Sequence, residues 1–309
     1  MCGIAGIMYR GVDQVFDTGD ALIRMLDGCQ HRGPDSTGFA LYAPELSGRL
    51  KLRFLLDRSS EGGNQQGAID AIRRRLEGLG AIIEEEAQVG ENYRVTAGFS
   101  GDVQKLSYEM EHAAKVISIG TSLEIVKDVG SAHEVDERYG VHWFRGTHGL
   151  GHVRLATESE VKPEAAHPFW ATGFADVAIV HNGQITNYWK MRRRLEQRDF
   201  EFTTDNDSEL IAVYLGDKLA QGIALKEALA SSIDDLDGTF SFLVSTQDEI
   251  GYAKDRLAAK PMIMYQDENL VAIASEEVSL NRLFPGQALN TREPAPGTYA
   301  TWSRSISHS

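Results

Sequence analysis

Along most of this chain, apolar positions either alternate with polar ones or gather in short runs, and each run ends at turn residues. CGIAGIMYR at the start has the pattern of a buried strand, and a helical period then predicts a helix from about Asp17 to Cys29. The turn-rich HRGPDSTG follows, and a strand at FALYAP. From Leu50 the texture changes. RLKLRFLLDR is strand-like, AIDAIRRRLEGLG helical with a closing glycine, and AIIEEEAQV and NYRVTAGFS are strand-like. DVQKLSYEMEHAAKVI predicts a second helix and TSLEIVKDV a further strand. This β-α-β-β-α-β order is that of ferredoxin-like modules. Residues 49–140 are therefore expected to form an inserted α/β module, long enough to pack by itself, within a main domain of residues 1–48 and 141–309.

Beyond it, GTHGLGHVRLAT and FADVAIVHNGQI predict strands, the second running into a polar turn. NYWKMRRRLEQRDF, NDSELIAVYLGDKLAQG and ALKEALASSIDDLDG predict helices, the last closed by Gly238 in a C′ role. The strands TFSFLVSTQ, EIGYAKDR, PMIMYQDE, LVAIASE and GTYATWS complete the chain. Outside the insertion, strands come in runs and so do helices. That grouping points to an α+β fold of stacked antiparallel sheets covered by helices.

Composition narrows the function classes. With 309 residues, 42% hydrophobic and 25% charged, the chain fits a soluble globular protein of one large or two ordinary domains. No apolar run approaches the roughly 20 residues of a membrane span, and the start lacks the pattern of a secretory signal. A net charge of −14 argues against nucleic acid as the main partner. The run Arg192-Arg193-Arg194 fits a solvated or partner-facing helix side. Two cysteines, Cys2 and Cys29, build no disulfide framework, and a reducing cytoplasmic setting is expected. His142, His148 and His152 are irregularly spaced and His167 and His181 fall in other elements, so no metal site is expected.

Cys2 changes the picture. Removal of Met1 would leave a thiol and a free α-amino group on one residue, and that amine, with an ordinary pKa near 8, can serve as a base beside the nucleophile. Hydrolysing a small amide also needs oxyanion donors, which Asn182 and the Gly183 backbone could supply. Arg154 offers a guanidinium fork for an α-carboxylate and Asp207 a carboxylate for an α-ammonium. Taken singly, Arg154 fits a surface ion pair, Asn182-Gly183 a type I′ turn, Asp207 a helix cap and Cys2 a buried strand thiol.

Taken together and in order, CGIAGI, HRGPDSTG, GHVRLAT, HNG and DSEL resemble the class II glutamine amidotransferases, a group of N-terminal nucleophile hydrolases; DRLAAKPM and AIASE add to the likeness. The resemblance implies a four-layer α-β-β-α sandwich and roles for seven residues. Cys2 is then the nucleophile, Asn182 and Gly183 the oxyanion hole, and Arg154, Thr157, Asp207 and His181 the substrate pocket. Leu155 and Glu158 depart from the family pattern, which often has an aromatic after the arginine and a histidine after the threonine. No GxxxxGK[ST] or convincing GxGxxG pattern occurs, so acceptor chemistry is expected on another chain. The chain further resembles the free-standing amidotransferase subunit of N-methylglutamate synthase and related glutamate synthase-like complexes. That implies glutamine or glutamate as substrate, partner subunits carrying FMN and an iron–sulfur cluster, and no cofactor on this chain. A true glutamate synthase-like complex, a stand-alone amidohydrolase and a non-catalytic assembly subunit are the other readings.

Overall fold

The computed structural model describes residues 2–11, 14–56, 65–156 and 161–305. The chain begins with β1 (Gly3–Tyr9), α1 (Thr18–Cys29) and β2 (Ser36–Tyr42). Next come β3 (Arg49–Leu55), α2 (Gln65–Gly78), β4 (Ile82–Val89), β5 (Asn92–Gly98), α3 (Val103–Glu111) and β6 (Lys115–Gly120). β7 (Leu123–Val129), α4 (Ala132–Tyr139), β8 (His148–Arg154), β9 (Phe169–Trp170) and β10 (Ala178–Ile185) follow. Three helices, α5 (Tyr188–Glu196), α6 (Asp207–Ala220) and α7 (Leu225–Asp235), come next. The last elements are β11 (Gly238–Ser245), β12 (Glu249–Lys254), β13 (Ile263–Gln266), β14 (Leu270–Ala274), α8 (Glu277–Asn281) and β15 (Tyr299–Ser303).

Three antiparallel sheets result. One has the order β13-β14-β1-β8-β2-β7, the second β15-β12-β11-β10-β9 and the third β4-β5-β3-β6. β1 is almost wholly buried because its two faces serve different layers. Ile4 and Met8 join Leu150, Val180, Leu243 and Ile250 between the first two sheets. Ala5 and Ile7 pack instead with Leu22, Met25 and Leu26 of α1. On the far side, Leu210, Ile211 and Leu215 of α6 and Leu229 of α7 cover the second sheet. Helix, sheet, sheet and helix form the four layers of the sandwich. Such double coverage explains why these strands read as apolar runs rather than alternations.

The third sheet belongs to the insertion, and its strand order is the ferredoxin-like one, with α2 and α3 contributing Ile72, Leu76, Leu106 and Met110 to its core. Its last strand is not the one the sequence suggests. The predicted helix DVQKLSYEMEHAAKVI stops at Glu111, and the β-branched run Lys115–Gly120 forms β6 against β3. The Glu111 carboxylate accepts the amide of Val116 at 3.2 Å, which fixes the change of direction. TSLEIVKDV is then β7, paired with β2 from Ser36↔Val129 to Tyr42↔Leu123. Leu123 and Ile125 enter the inter-sheet core while Val126 faces the α1 side, so β7 needs cover on both faces. Residues 121–140 thus lie with the main sandwich, and the third sheet ends at Gly120. The insertion is also not separately packed, since one apolar cluster runs from Phe54, Val95 and Ile119 into Tyr42 and Leu150.

Two local expectations change as well. Gly238 does not close α7, which ends at Asp235; it opens β11 opposite Ile185. His181-Asn182-Gly183 is not a turn but lies inside β10, paired with Phe242, Ser241 and Phe240. No described helix is long and apolar enough to cross a membrane.

Candidate active site

The polar clusters of the sequence meet at the start of β1, the end of β8 and the second half of β10. Gly3 pairs with Val153, so Cys2 lies beside Arg154 at the adjoining strand ends. The Cys2 backbone carbonyl accepts two N–H bonds, from Arg32 Nε and from the Asn182 side-chain amide, each at 3.0 Å. Cys2 itself is half-buried and its Sγ lies 4.0 Å from the Leu155 carbonyl. Arg154 is 5% exposed. Burial pulls its guanidinium below the ordinary value, and the facing Cys2 and Asp35 oppose that pull.

HRGPDSTG supplies the frame. Asp35 accepts the amide of Ala156 at 2.7 Å and donates its own amide to the Arg154 carbonyl at 3.0 Å, so the chain leaving β8 is held on both sides. Arg32 pairs with Glu276 at 2.5 Å, and His31 lies 3.3 Å from the same carboxylate. Ser275, at the end of β14, accepts the amide of Ile4 through its hydroxyl at 3.0 Å. The AIASE tail thus locks the start of β1. Arg32, Asp35, Ser275 and Glu276 join the site without having been singled out by chemistry; their signal in the sequence is the pair of motifs that carry them.

Gly183 follows Asn182 with φ +150°, and a Cβ there would meet the Thr239 carbonyl oxygen at 2.1 Å. Only glycine lets β10 lie this close to β11 with this backbone conformation. Asp207 is the first residue of α6 and does not cap it; the Asn206 side chain accepts from Ser208 N instead. Asp207 Oδ2 accepts the amide of Ile185 at 3.0 Å and Oδ1 lies 3.5 Å from His181 Nδ1. Burial raises the Asp207 carboxyl, but His181 and the amide of Ile185 outweigh it and hold the group below its ordinary value. His181 is buried and bonds Ser208 Oγ at 3.0 Å, so it faces α6 while Asn182 faces Cys2. Five of the predicted site residues besides Cys2 (Arg154, His181, Asn182, Gly183 and Asp207) therefore surround these strand ends. Thr157 and Glu158 lie outside the described residues.

Cys29 differs in every respect. It is fully buried as the last residue of α1, and burial pushes its thiol up to about 11. Among the described residues no group of three or more His, Cys, Asp or Glu side chains is arranged to hold a metal ion.

The site thus combines a half-exposed cysteine at a strand start, an amide donor and a buried guanidinium, all set in a four-layer sandwich. A family model described as a glutamine amidotransferase domain matches residues 152–282. A protein of Methanothermobacter thermautotrophicus assigned as a glutamine amidotransferase is 40% identical, over 92% of this chain and 94% of its own. The glutamine amidotransferase-like protein GlxB of Rhizobium meliloti is 34% identical, over 98% of both chains. The glutamine phosphoribosylpyrophosphate amidotransferase structure from B. subtilis superposes with a TM-score of 0.62 at 19% identity, over 98% of this chain. This chain spans 47% of that structure's length. The chain belongs to the glutamine amidotransferases, and its fold is that of class II.

Proposed function

We propose that this chain splits the side-chain amide of glutamine at Cys2, as the amidotransferase subunit of a glutamate synthase-like assembly, specifically N-methylglutamate synthase. Once Met1 is removed, the Cys2 thiol gives its proton to the α-amino group and attacks the amide carbon. The developing oxyanion takes donors from Asn182 Nδ2 and the Gly183 amide. The ammonium formed on the amine returns its proton to the leaving nitrogen, ammonia departs and a γ-glutamyl thioester remains on Cys2. Water, deprotonated by the same amine, then releases glutamate and restores the thiol. Arg154 binds the substrate α-carboxylate, Asp207 its α-ammonium, and Thr157 and His181 support these groups. The observation that carries the reading is the 3.0 Å bond between the Asn182 amide and residue 2, which puts an oxyanion donor beside the thiol.

The acceptor chemistry belongs in this reading to partner subunits bearing FMN and an iron–sulfur cluster, in the cytoplasm. Its support is the resemblance of the motifs, together with two tryptophans left largely in solvent, Trp143 and Trp189. Such exposed indoles suit contact with another chain.

Intact mass and labelling test the nucleophile. The mature chain is expected to lack Met1, and a glutamine-analogue alkylating agent to modify Cys2 and leave Cys29 untouched. Cys2→Ala abolishes both labelling and glutaminase activity, a loss of about a thousandfold or more. Turnover that survives Cys2→Ala refutes the mechanism. Isolation from the native source without a flavin-bearing partner refutes the assembly and leaves the glutaminase.

A further inference from the structure

The glutamine pocket is tied to the insertion's exit strand by a buried lysine that the mechanism does not use. Lys127 stands on β7 and is 5% exposed. Its ammonium donates to three backbone carbonyls, of Glu164 at 3.3 Å, Ala166 at 2.9 Å and Pro168 at 3.3 Å, and lies 4.8 Å over the ring of Phe169. Among the described residues no carboxylate lies within 4.0 Å of it, whereas the buried Lys254 has Glu293 at 2.8 Å. The three carbonyls alternate along one segment, residues 163–168, which connects the chain leaving Arg154 to β9. The segment lies flat on β2 at Gly38, where a Cβ would meet the His167 carbonyl oxygen at 2.1 Å.

The segment carries His167 between two of the gripped carbonyls. His167 Nε2 is 2.7 Å from Ser208 Oγ, which also bonds His181 Nδ1 at 3.0 Å. His181 in turn faces Asp207 at 3.5 Å. We infer that Lys127 is a positioning residue for the glutamine pocket: by gripping the 163–168 strap it sets His167 against Ser208 and so, through His181, holds the Asp207 carboxylate where the substrate ammonium binds. The inference rests on the assignment of Asp207 to that ammonium.

The grip depends on charge. Burial, with Lys115 of β6 acting in the same direction, brings the Lys127 ammonium down to about 7. Glu209 of α6, Glu164 of the strap and Glu111 of α3 act in the opposite direction. His167, on the strap itself, is kept neutral, chiefly by its own burial. Below neutral pH three N–H donors meet three carbonyls. Above it the amine has only two donors, and the strap loosens.

Steady-state glutaminase kinetics on the full chain between pH 6 and 9 test this, with Lys127→Met, Lys127→Arg and Lys115→Met. Wild-type KM for glutamine is expected to rise on the alkaline side of neutrality. Lys127→Met raises KM about tenfold at pH 6.5 with kcat within about twofold, and removes the alkaline rise. Lys127→Arg restores most of the lost affinity and also lacks the alkaline rise, since a guanidinium stays charged. Lys115→Met leaves KM at pH 6.5 unchanged and moves the alkaline rise to higher pH. A wild-type KM and pH profile in Lys127→Met, or a loss in kcat alone, overturns the inference. Should Lys127→Met fail to fold, the Lys127→Arg and Lys115→Met profiles decide. Should the wild type hydrolyse no glutamine, the proposed function fails by itself. Amide exchange over residues 164–170 then judges the grip, and exchange no faster in Lys127→Met than in wild type refutes it.

Discussion

The sandwich and the insertion place their polar residues by opposite rules. Both large sheets are covered on each face, so a polar side chain that enters is stabilised by the hydrogen bonds it makes there. Tyr42, His148 and Lys254 are buried this way, each with hydrogen-bond partners. The insertion covers one face of its sheet with α2 and α3 and lines the other with charges, Arg49 paired with Glu84 at 2.6 Å and Arg53 reaching Glu124 of β7 in the sandwich at 3.0 Å. The difference teaches where chemistry can reside. A rigid, doubly covered sheet fixes the side chains at its rim, and the candidate active site is that rim. The insertion's charges pair with one another, as Arg73 does with Glu86, and with Glu124 on the neighbouring sandwich strand.

The contrast breaks most severely at Asp176, where the two regions join. Its carboxylate accepts the amides of Thr121, Ser122 and Leu123 at 2.8–2.9 Å and both adjoining hydroxyls at 2.9 Å. Asp176→Asn keeps the shape and the positive φ but turns a donor toward Thr121. A loss of roughly 3 kcal/mol in denaturant unfolding is expected, with glutaminase activity retained below the transition. Full stability in that variant would show that the junction is not held there.

A smaller effect follows from acid. His148 is wholly buried between the sheets, and burial lowers it from its ordinary 6.5 to about 4. The folded chain therefore binds fewer protons here than the unfolded chain between those values. The stability from this residue is complete above pH 6.5 and falls as pH drops toward 4, by about 2 kcal/mol at pH 5. Unfolding midpoints at pH 7 and 5 measure it, and His148→Gln should shrink their separation; an unaltered separation removes His148 from the account. The smallest effect belongs to the insertion's surface. Arg73 pairs with Glu86 and Asp70 in solvent, and Arg73→Ala should leave the unfolding midpoint within experimental error. A marked drop would mean that these pairs do structural work.

Much of this was legible in the order of motifs. The strand ends that carry Cys2 and Arg154 are visible as apolar runs meeting polar residues, as is the polar stretch of β10 that holds Asn182, and packing brings them together. The boundary between α3 and β6 was not legible, because Ala113–Ile117 continues a helical period and only the Glu111 contact with Val116 shows the break. Helix α4 does carry a signature: Ser131 and Glu134 form a capping box and Gly140 adopts the left-handed conformation at its end. The strand run of the insertion leads the eye past it. His181-Asn182-Gly183 has the composition of a turn, and only its neighbour β11 makes it strand. Lys127 gives no local sign at all, since its partners are backbone carbonyls about 40 residues away.

The third sheet enters and leaves through neighbouring rungs. Tyr42 faces Leu123 across the ladder, and Ala43 and Leu46 still donate to Ser122 and Thr121 at 3.1 Å. In topological terms the module is an enlarged hairpin loop, and lengthening such a loop costs only logarithmically in chain entropy. A protein engineer could therefore cut between these rungs and rejoin them with a tight turn, replacing the apolar contacts the module provides. A cut extended to residue 138 would instead strip the sandwich of an edge strand and the lysine it bears.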